Sequence, residues 1–566
     1  MNSSAITVQP VRTQSLTPTA KGLIGISLVA IAIMAPTLIW GMPSSRDLTN
    51  HFRFALPFYD SLRAGNFHPG WLAESNSGFG DASFRFYPPA LYYLLALFRL
   101  VIGNWFAATI TTATFLFALG GFGVFFWARA LGQERNAMWA GILYTAAPYH
   151  LNQFFQSFML AEFAAAAILP FVFAFTERVC QRRRAPDMAG LAACYAILIL
   201  THLPLAVIAS VALLLYAVVR REKQNFLKTL GCLAGSVAIG LAASSFYWIT
   251  MLAELSWIRA DRINPDPSVD YRQNFVLSTF STDYLNVWWM NILLLMTAAM
   301  FWPAVALLWR SARSSLRNHQ PENGKAIKAM AAVLLLTIFM ATPLSRPLWN
   351  LIRPLRETQF PWRWLAITSI ICPLLLVTAI PFWKNLGRAH KRSLTLLAAG
   401  TAAIALSFSA SHIIREAFWL TPHQFEKRLA EIPGSESVSQ WWPASVHEPV
   451  QVMSVPVAAN SRPVTIESWT PERRVFSVGP GAPVDARIRT FFYPHWTATA
   501  AGVNLSVRAD KDGAILIALP DNATRVTLEF REPPRVRRAA VLSLVGWMVV
   551  AFLPLSRRLF RAELSQ

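Results

Sequence analysis

"SSRDLTNHFRFALPFYDSLRAGNFHPGWLAESNSGFGDASFRFYPP", residues 44–89, decides how the rest of this chain is read. It directly follows the first strongly apolar segment, Gly22 to Gly41, and is the longest polar-aromatic passage in the first half of the sequence. Asp47 and His51 sit four apart, and Leu48, Phe52, Ala55, Leu56, Tyr59 and Leu62 recur at helical spacing. That pattern describes an amphipathic helix with one apolar and one polar face. Pro57 is expected to bend or break it, and Gly65 with "HPGW" to close it as a turn. Lying on a membrane surface, such a helix would present Asp47 and His51 to water as a reaction site. The plainer reading is a surface helix whose polar face is merely solvated.

The surrounding composition supplies the membrane. Hydrophobic residues make up 54% of the chain and charged ones only 14%, which excludes an ordinary soluble protein. Apolar runs of about 20 residues recur and read as transmembrane helices. A net charge of +21 would suggest nucleic acid in a soluble chain, but here the Lys and Arg gather in short loops. These are "ERVCQRRRAPD" (177–187), "RREKQ" (220–224), "RSARSSLRNHQPENGKAIK" (310–328), "KNLGRAHKR" (384–392) and "RRLFR" (557–561). The bias places those loops on the cytoplasmic side and argues against nucleic-acid binding. Cys180, Cys194, Cys232 and Cys372 have no metal-ligand spacing and read as small core residues. The first apolar segment lacks a small-residue cleavage site and reads as a retained helix.

Counting outward from residues 44–89 gives a mainly α, polytopic membrane protein with about 12 crossings and both termini cytoplasmic. Residues 1–21 form a cytoplasmic tail, and the helix 22–41 delivers the 42–88 loop to the external side. Segment 88–103 is short and carries Arg99; it is expected to lie along or dip into the outer face, and would make a thirteenth crossing if it spanned. The expected crossings continue at 104–128, 137–150, 158–177, 188–201, 203–220, 228–256, 287–309, 326–343, 361–383, 393–413 and 537–556. Residues 22–413 thus form the membrane domain, and 536–566 the last helix and its cytoplasmic tail. Arg535, Arg537 and Arg538 stand against the charge bias, at a level where phosphate headgroups lie.

Residues 414–535 differ. Short alternating segments such as "RRVFSVG", "VDARIRTFF", "AILIALP" and "RVTLEF", bounded by Gly, Pro, Asn and Asp, predict a small external β-sandwich. Val484, Ala486, Ile488, Thr490 and Phe492 are expected to form its buried face along one strand.

The uncommon polar residues fall in the external stretches. Asp47, His51, Asp81, Arg85 and Tyr87 come from the first loop; His150 closes "APYH" and Glu162 opens the next helix. His202 lies at the "THLP" turn, and Arg356, Glu357, Gln359 and Arg363 lie in "LRETQFPWRW". The crossing count puts them all at one membrane face. An ionisable residue inside an apolar helix, such as Glu162, costs a few kcal/mol unless it faces a cavity or partner. Carboxylates, imidazoles and arginines meeting there suit acid/base or metal-assisted chemistry on a phosphate-bearing lipid. Each has a plainer role: His202 as a hairpin cap, Arg356 and Arg363 as headgroup ligands, Glu162 as a structural partner, Asp81 as a turn residue. No P-loop, GxSxG, HExxH or Rossmann fingerprint occurs in a suitable context.

"RDLTNHFRF", "GNFHPGW", "GFGDASFRFYPPALYYL", "APYH…LAE", "THLP", "LRETQFPWRW" and "FYPHWTATAAG…LIALPDNATRVTLEF" occur in this order. They resemble bacterial membrane proteins named as 6-pyruvoyl-tetrahydropterin-synthase-related, which are similar to GT-C-fold glycosyltransferases. The resemblance implies a sugar moved from a polyprenyl-phosphate donor to a glycan, lipid or protein acceptor, at the outer face of the inner membrane. Asp47 would serve as base or metal ligand, with Glu162 as second polar contributor and a divalent cation (Mg or Mn) as cofactor if any. Asp47 is followed by Leu, Thr and Asn and not by a second acid, and "QSFMLAE" has no arginine ahead of "LAE". The pterin-synthase label finds no soluble α/β unit and no clustered His triad for zinc in the sequence. A non-enzymatic lipid or polysaccharide transporter or assembly factor is the alternative; its polar residues would line a path through the membrane.

Overall fold

A computed structural model describes residues 17–258, 269–283, 285–315, 324–384, 387–432 and 441–563. The chain is a helical membrane protein carrying a β-sandwich. Ten helices among the described residues are long and apolar enough to cross a bilayer, from Pro18–Trp40 to Pro534–Leu555. Two of the expected crossings take another form. Segment 137–150 becomes two short helices, Ala137–Thr145 and Pro148–Phe155, because Pro148 opens a new helix at its first position. The other, Ala185–Thr201, is an apolar helix of 17 residues, and Ala90–Ile102 has only 13. At a rise of 1.5 Å per residue the latter is about 20 Å long, short of a roughly 30 Å hydrocarbon core. Part of the basic 310–328 loop lies outside the described residues.

The helix predicted after Ser45 is present as Arg46–Arg63, and it runs unbroken through Pro57. Proline removes one backbone donor, yet burial of Phe52, Phe54, Ala55 and Phe58 on both sides of it holds the helix together. Its apolar face packs with Tyr92, Trp105, Phe117 and Phe425 in a core of aromatic residues. The face is broader than the spacing suggested, since Phe54 and Phe58 join Leu48, Phe52, Ala55 and Tyr59.

The sandwich pairs two antiparallel sheets. One runs Val464–Trp469, Arg473–Val478, Thr524–Phe530, Trp496–Ala500 and Val503–Leu505 in spatial order; the other runs Val457–Ala458, Val484–Phe491, Ala514–Leu519 and Val507–Ala509. Ala486, Ile488 and Thr490 face inward as expected, but Phe491 is buried and Phe492 is not. A register shift explains the slip: Ile515 pairs with Ile488 while Ala514 pairs with Phe491, so an irregularity in the ladder turns the next side chain inward.

Residues 71–86 divide between two cores: Leu72 and Phe84 pack with the preceding helix, Phe84 against Phe54 and Phe58. Trp71, Phe79, Ala82 and Phe86 enter the sandwich core beside Phe476, Ile488, Phe491 and Phe530. A two-stranded pairing of Met42–Ser44 with Phe418–Leu420 adds a second tie at the other end of the loop. Gly41 makes it possible, with φ at 110° and the Leu420 carbonyl oxygen 2.0 Å from where a Cβ would sit.

Candidate functional site

Glu162 opens the helix Leu160–Arg182 and is almost wholly buried. A carboxylate in such a place needs donors for both oxygens. Its Oε1 accepts from the Tyr149 hydroxyl at 2.6 Å and the Gln153 amide at 2.6 Å. Its Oε2 accepts from Arg363 Nε at 2.8 Å. Arg363 is itself buried, donates from Nη1 to the Thr358 carbonyl at 2.5 Å, and lies with its guanidinium carbon 4.8 Å from the Phe360 ring centre. Gln359 stands beside it, Oε1 3.4 Å from Nη1, on a backbone with φ of 64°. The "LAE" and "QFPWR" pieces therefore meet in one ion pair.

The first loop brings Asp47 and Tyr87 within electrostatic reach of this pair. Asp47 lies half-buried in the first turn of the Arg46–Arg63 helix, where the helix dipole favours a carboxylate. Tyr87 links the groups electrostatically. Desolvation pushes its hydroxyl well above the ordinary tyrosine range, the Asp47 charge adds to that, Arg363 opposes it, and Glu162 adds a smaller push. Two carboxylates and one arginine thus act electrostatically on one phenol.

His51 is turned away from water. Leu160 N–H donates to its Nε2 at 3.1 Å, so this histidine caps the helix that carries Glu162. With Nε2 accepting, the proton sits on Nδ1, which lies 3.0 Å from the Tyr92 hydroxyl. The expectation of an imidazole presented to solvent is corrected: the imidazole is held as a neutral cap by burial, its pKa lowered to about 3. His202 also caps, its Nδ1 accepting from Leu205 N–H at 3.2 Å.

The remaining candidates go elsewhere. The His150 ring stacks on Tyr144, centroids 4.8 Å apart, and is enclosed by Phe117 and Phe163; its Nε2 has no hydrogen-bond partner among the described residues. Asp81 Oδ1 accepts from the Ser83 backbone at 2.5 Å, as a turn residue does. Arg356 and Glu357 are exposed, Glu357 facing Arg353 at 3.5 Å. Arg85 belongs to a second buried cluster. Its Nη2 donates to Glu254 at 2.8 Å and to Glu532 at 3.0 Å. Tyr493, His495 and Arg535 complete the shell of Glu254 at 2.7, 3.1 and 3.2 Å. The contacts of Asp81, Arg85, His150, Arg356 and Glu357 thus lie apart from the Glu162–Arg363 pair.

Tyr92, Tyr149 and Gln153 are the site residues that sequence reasoning missed; amides and phenols on apolar helices read as core. Both Glu162 oxygens are engaged, and no group of three His, Cys, Asp or Glu able to hold a metal occurs among the described residues.

Residues 84–415 match the model of a family described as "6-pyruvoyl-tetrahydropterin synthase related domain; membrane protein". The chain belongs to this family. The family region contains Tyr87, Glu162 and Arg363, while Asp47, His51 and most of the sandwich lie beyond its limits. No curated protein matches the chain in sequence. Among solved structures, similar ones include arabinofuranosyltransferase AftD from Mycobacteria, with TM-score 0.44 and 15% identity over 71% of this chain and 27% of that one. ArnT from Cupriavidus metallidurans in the apo state gives 0.43 and 16% over 68% and 63%. ArnT bound to undecaprenyl phosphate gives 0.41 and 13% over 74% and 76%. The chain thus spans about a quarter of AftD and under two thirds of apo ArnT. The likeness is one of general layout and assigns neither substrate nor residue roles.

Proposed function

We propose that this family member is a membrane glycosyltransferase, taking a sugar from a polyprenyl-phosphate donor and placing it on a cell-envelope acceptor at the outer face of a bacterial inner membrane. The observation that supports the reading is the buried Arg363–Glu162 ion pair, together with the charge interactions that Tyr87 has with both Asp47 and that pair. A lipid-linked sugar phosphate needs a fixed cation for the phosphate and a base for the acceptor hydroxyl. Arg363, with Gln359 beside it, fills the first role, and Glu162 positions that arginine. Asp47 fills the second. The acceptor oxygen bonds to the anomeric carbon as the bond from that carbon to the phosphate oxygen breaks. The phosphate leaves with the electron pair, and the hydroxyl proton passes to Asp47. The alternative of a transporter predicts no dependence on a base.

The test is lipid-linked glycan profiling of a deletion strain complemented with wild type or Asp47→Asn. Asp47→Asn keeps the shape of the helix and is expected to lower transfer by about 10²- to 10⁴-fold, the range for loss of a general base, while inserting normally. A normal glycan profile from that variant would remove Asp47 as base and favour transport.

A further inference from the structure

The strand Thr524–Phe530 leaves the sandwich and, at Pro534, becomes the helix Pro534–Glu563. At that junction lies a cavity of about 660 Å³, lined by Arg531, Arg537, Arg538, Glu472, Glu532 and Phe530 among others. Its acids are already engaged. Glu532 accepts from Arg85 at 2.6 and 3.0 Å, and Glu472 accepts from the Asn66 amide at 2.9 Å. Arg531 is paired with Glu529 at 2.8 Å. Arg537 and Arg538 are exposed and form no ion pair among the described residues.

Both arginines occupy the beginning of a helix, where unpaired backbone N–H groups already carry partial positive charge and cations are disfavoured. An anion resolves that conflict. Directly below them, Val541, Leu544, Val545, Met548, Phe552 and Leu555 stand exposed at the spacing of one helical face. Pro534–Leu555 is apolar enough to span a bilayer, with 17% of its window buried inside the protein. The arginines of the cavity thus stand one helical turn from an exposed apolar stripe on the same helix, which suits an amphiphile better than a free ion.

We propose that this cavity holds the phosphate of a membrane phospholipid, with its acyl chains along the exposed face of the last helix. The site shares no residue with the Asp47–Arg363 group and does not depend on the glycosyltransferase reading. It gives the misplaced arginines a reason: they clamp the start of the last helix, and through Glu532 the Arg85 cluster, to the bilayer surface.

The test uses the full chain in lipid nanodiscs or detergent, titrated with phosphatidylglycerol and read by native mass spectrometry. R537Q/R538Q is expected to weaken phospholipid retention by about 30-fold, from two arginine contacts near a charged surface, and R537K/R538K to keep most of it. Equal retention by wild type and R537Q/R538Q overturns the site. Arginine-dependent retention of undecaprenyl phosphate without phosphatidylglycerol overturns the bilayer as its source. Displacement by millimolar inorganic phosphate alone overturns the role of the apolar stripe. Wild-type protein provides a measurement independent of variant folding: a phospholipid with a photoreactive headgroup should label the peptide around Arg537, and labelling only elsewhere refutes the proposal.

Discussion

Two buried arginine–glutamate pairs, Arg363–Glu162 and Arg85–Glu254, are built to different plans. Glu162 draws its other donors from close by, Tyr149 and Gln153, which precede it by 13 and 9 residues. Glu254 draws Arg85, Tyr493, His495 and Arg535 from three other parts of the chain. The first pair is one cation and one anion within the membrane domain. The second shares Arg85 between two carboxylates and ties the first loop, the helix Ser245–Glu254, the sandwich and the start of the last helix together. Burial of an ion pair is weak evidence for stability in itself, but removing one partner leaves an uncompensated charge. Without Arg363, Glu162 keeps two neutral donors and no cation; without Arg85, Glu254 keeps Tyr493, His495 and Arg535, but the link from the first loop to Glu254 and Glu532 is lost.

The largest effect should therefore come from Arg85→Ala. It takes the shared guanidinium from Glu254 and Glu532 and cuts the first loop from the sandwich and the last helix, and a loss of about 3–5 kcal/mol is expected, as for other broken buried pairs. Limited proteolysis should release the sandwich early. Arg363→Ala should also cost stability, because Tyr149 and Gln153 are neutral donors that leave the buried Glu162 charge uncompensated, but it should leave the sandwich fastened while abolishing transfer. Thermal unfolding of both variants in one detergent checks the contrast. Equal stability losses with an intact sandwich would break it.

How much of this was legible in the sequence depends on distance along the chain. The membrane class, the sandwich and the amphipathic helix after Ser45 follow from local periodicity, which needs no knowledge of partners. Glu162 was visible because a carboxylate in an apolar helix requires a partner. Glu254, in the apolar 228–256 segment, carries the same signal, whereas Glu177 opens a basic loop in the sequence and is buried against Arg220 at 2.9 Å in the fold. What no local pattern encodes is which arginine each acid takes. Arg85 is 169 residues from Glu254 and 447 from Glu532. The direction of His51 was equally hidden. Four residues separate it from Asp47, which places both on one helix face, but the face is covered by the Leu160–Arg182 helix.

His51 sharpens the comparison at intermediate scale, since it fixes the helix start that carries Glu162. Its neutral form is native, with a pKa lowered to about 3 against an ordinary 6.5. The unfolded chain therefore binds a proton that the folded chain refuses. The His51 contribution is complete above about pH 6.5 and is lost progressively as pH falls toward about 3. His51→Gln, with an amide oxygen available for Leu160 N–H, should cost about 1–2 kcal/mol at neutral pH and flatten the fall in melting temperature below pH 6.5. An unchanged slope in the variant would detach His51 from the acid sensitivity of the fold.

The smallest effect belongs to Arg356 and Glu357, which share a sequence motif with Arg363 but not its setting. Glu357 has a side chain 59% exposed and meets Arg353, itself 81% exposed, at 3.5 Å one helical turn away. Exposed pairs of this kind contribute roughly 0.3–0.5 kcal/mol because water screens them and ordering two long side chains opposes them. Arg356 is exposed as well, whereas Arg363, seven positions on, is buried against Glu162. The 3-10 turn Pro361–Trp364 and its buried tryptophans Trp362 and Trp364 carry the chain inward between the two arginines. Arg356→Gln and Glu357→Gln should thus leave both the melting temperature and the glycan profile near wild type, while Arg363→Gln removes transfer. A loss of transfer in Arg356→Gln would show that substrate extends outward from the Arg363–Glu162 pair to the surface of "LRETQFPWRW", and would enlarge the site beyond the group around Tyr87.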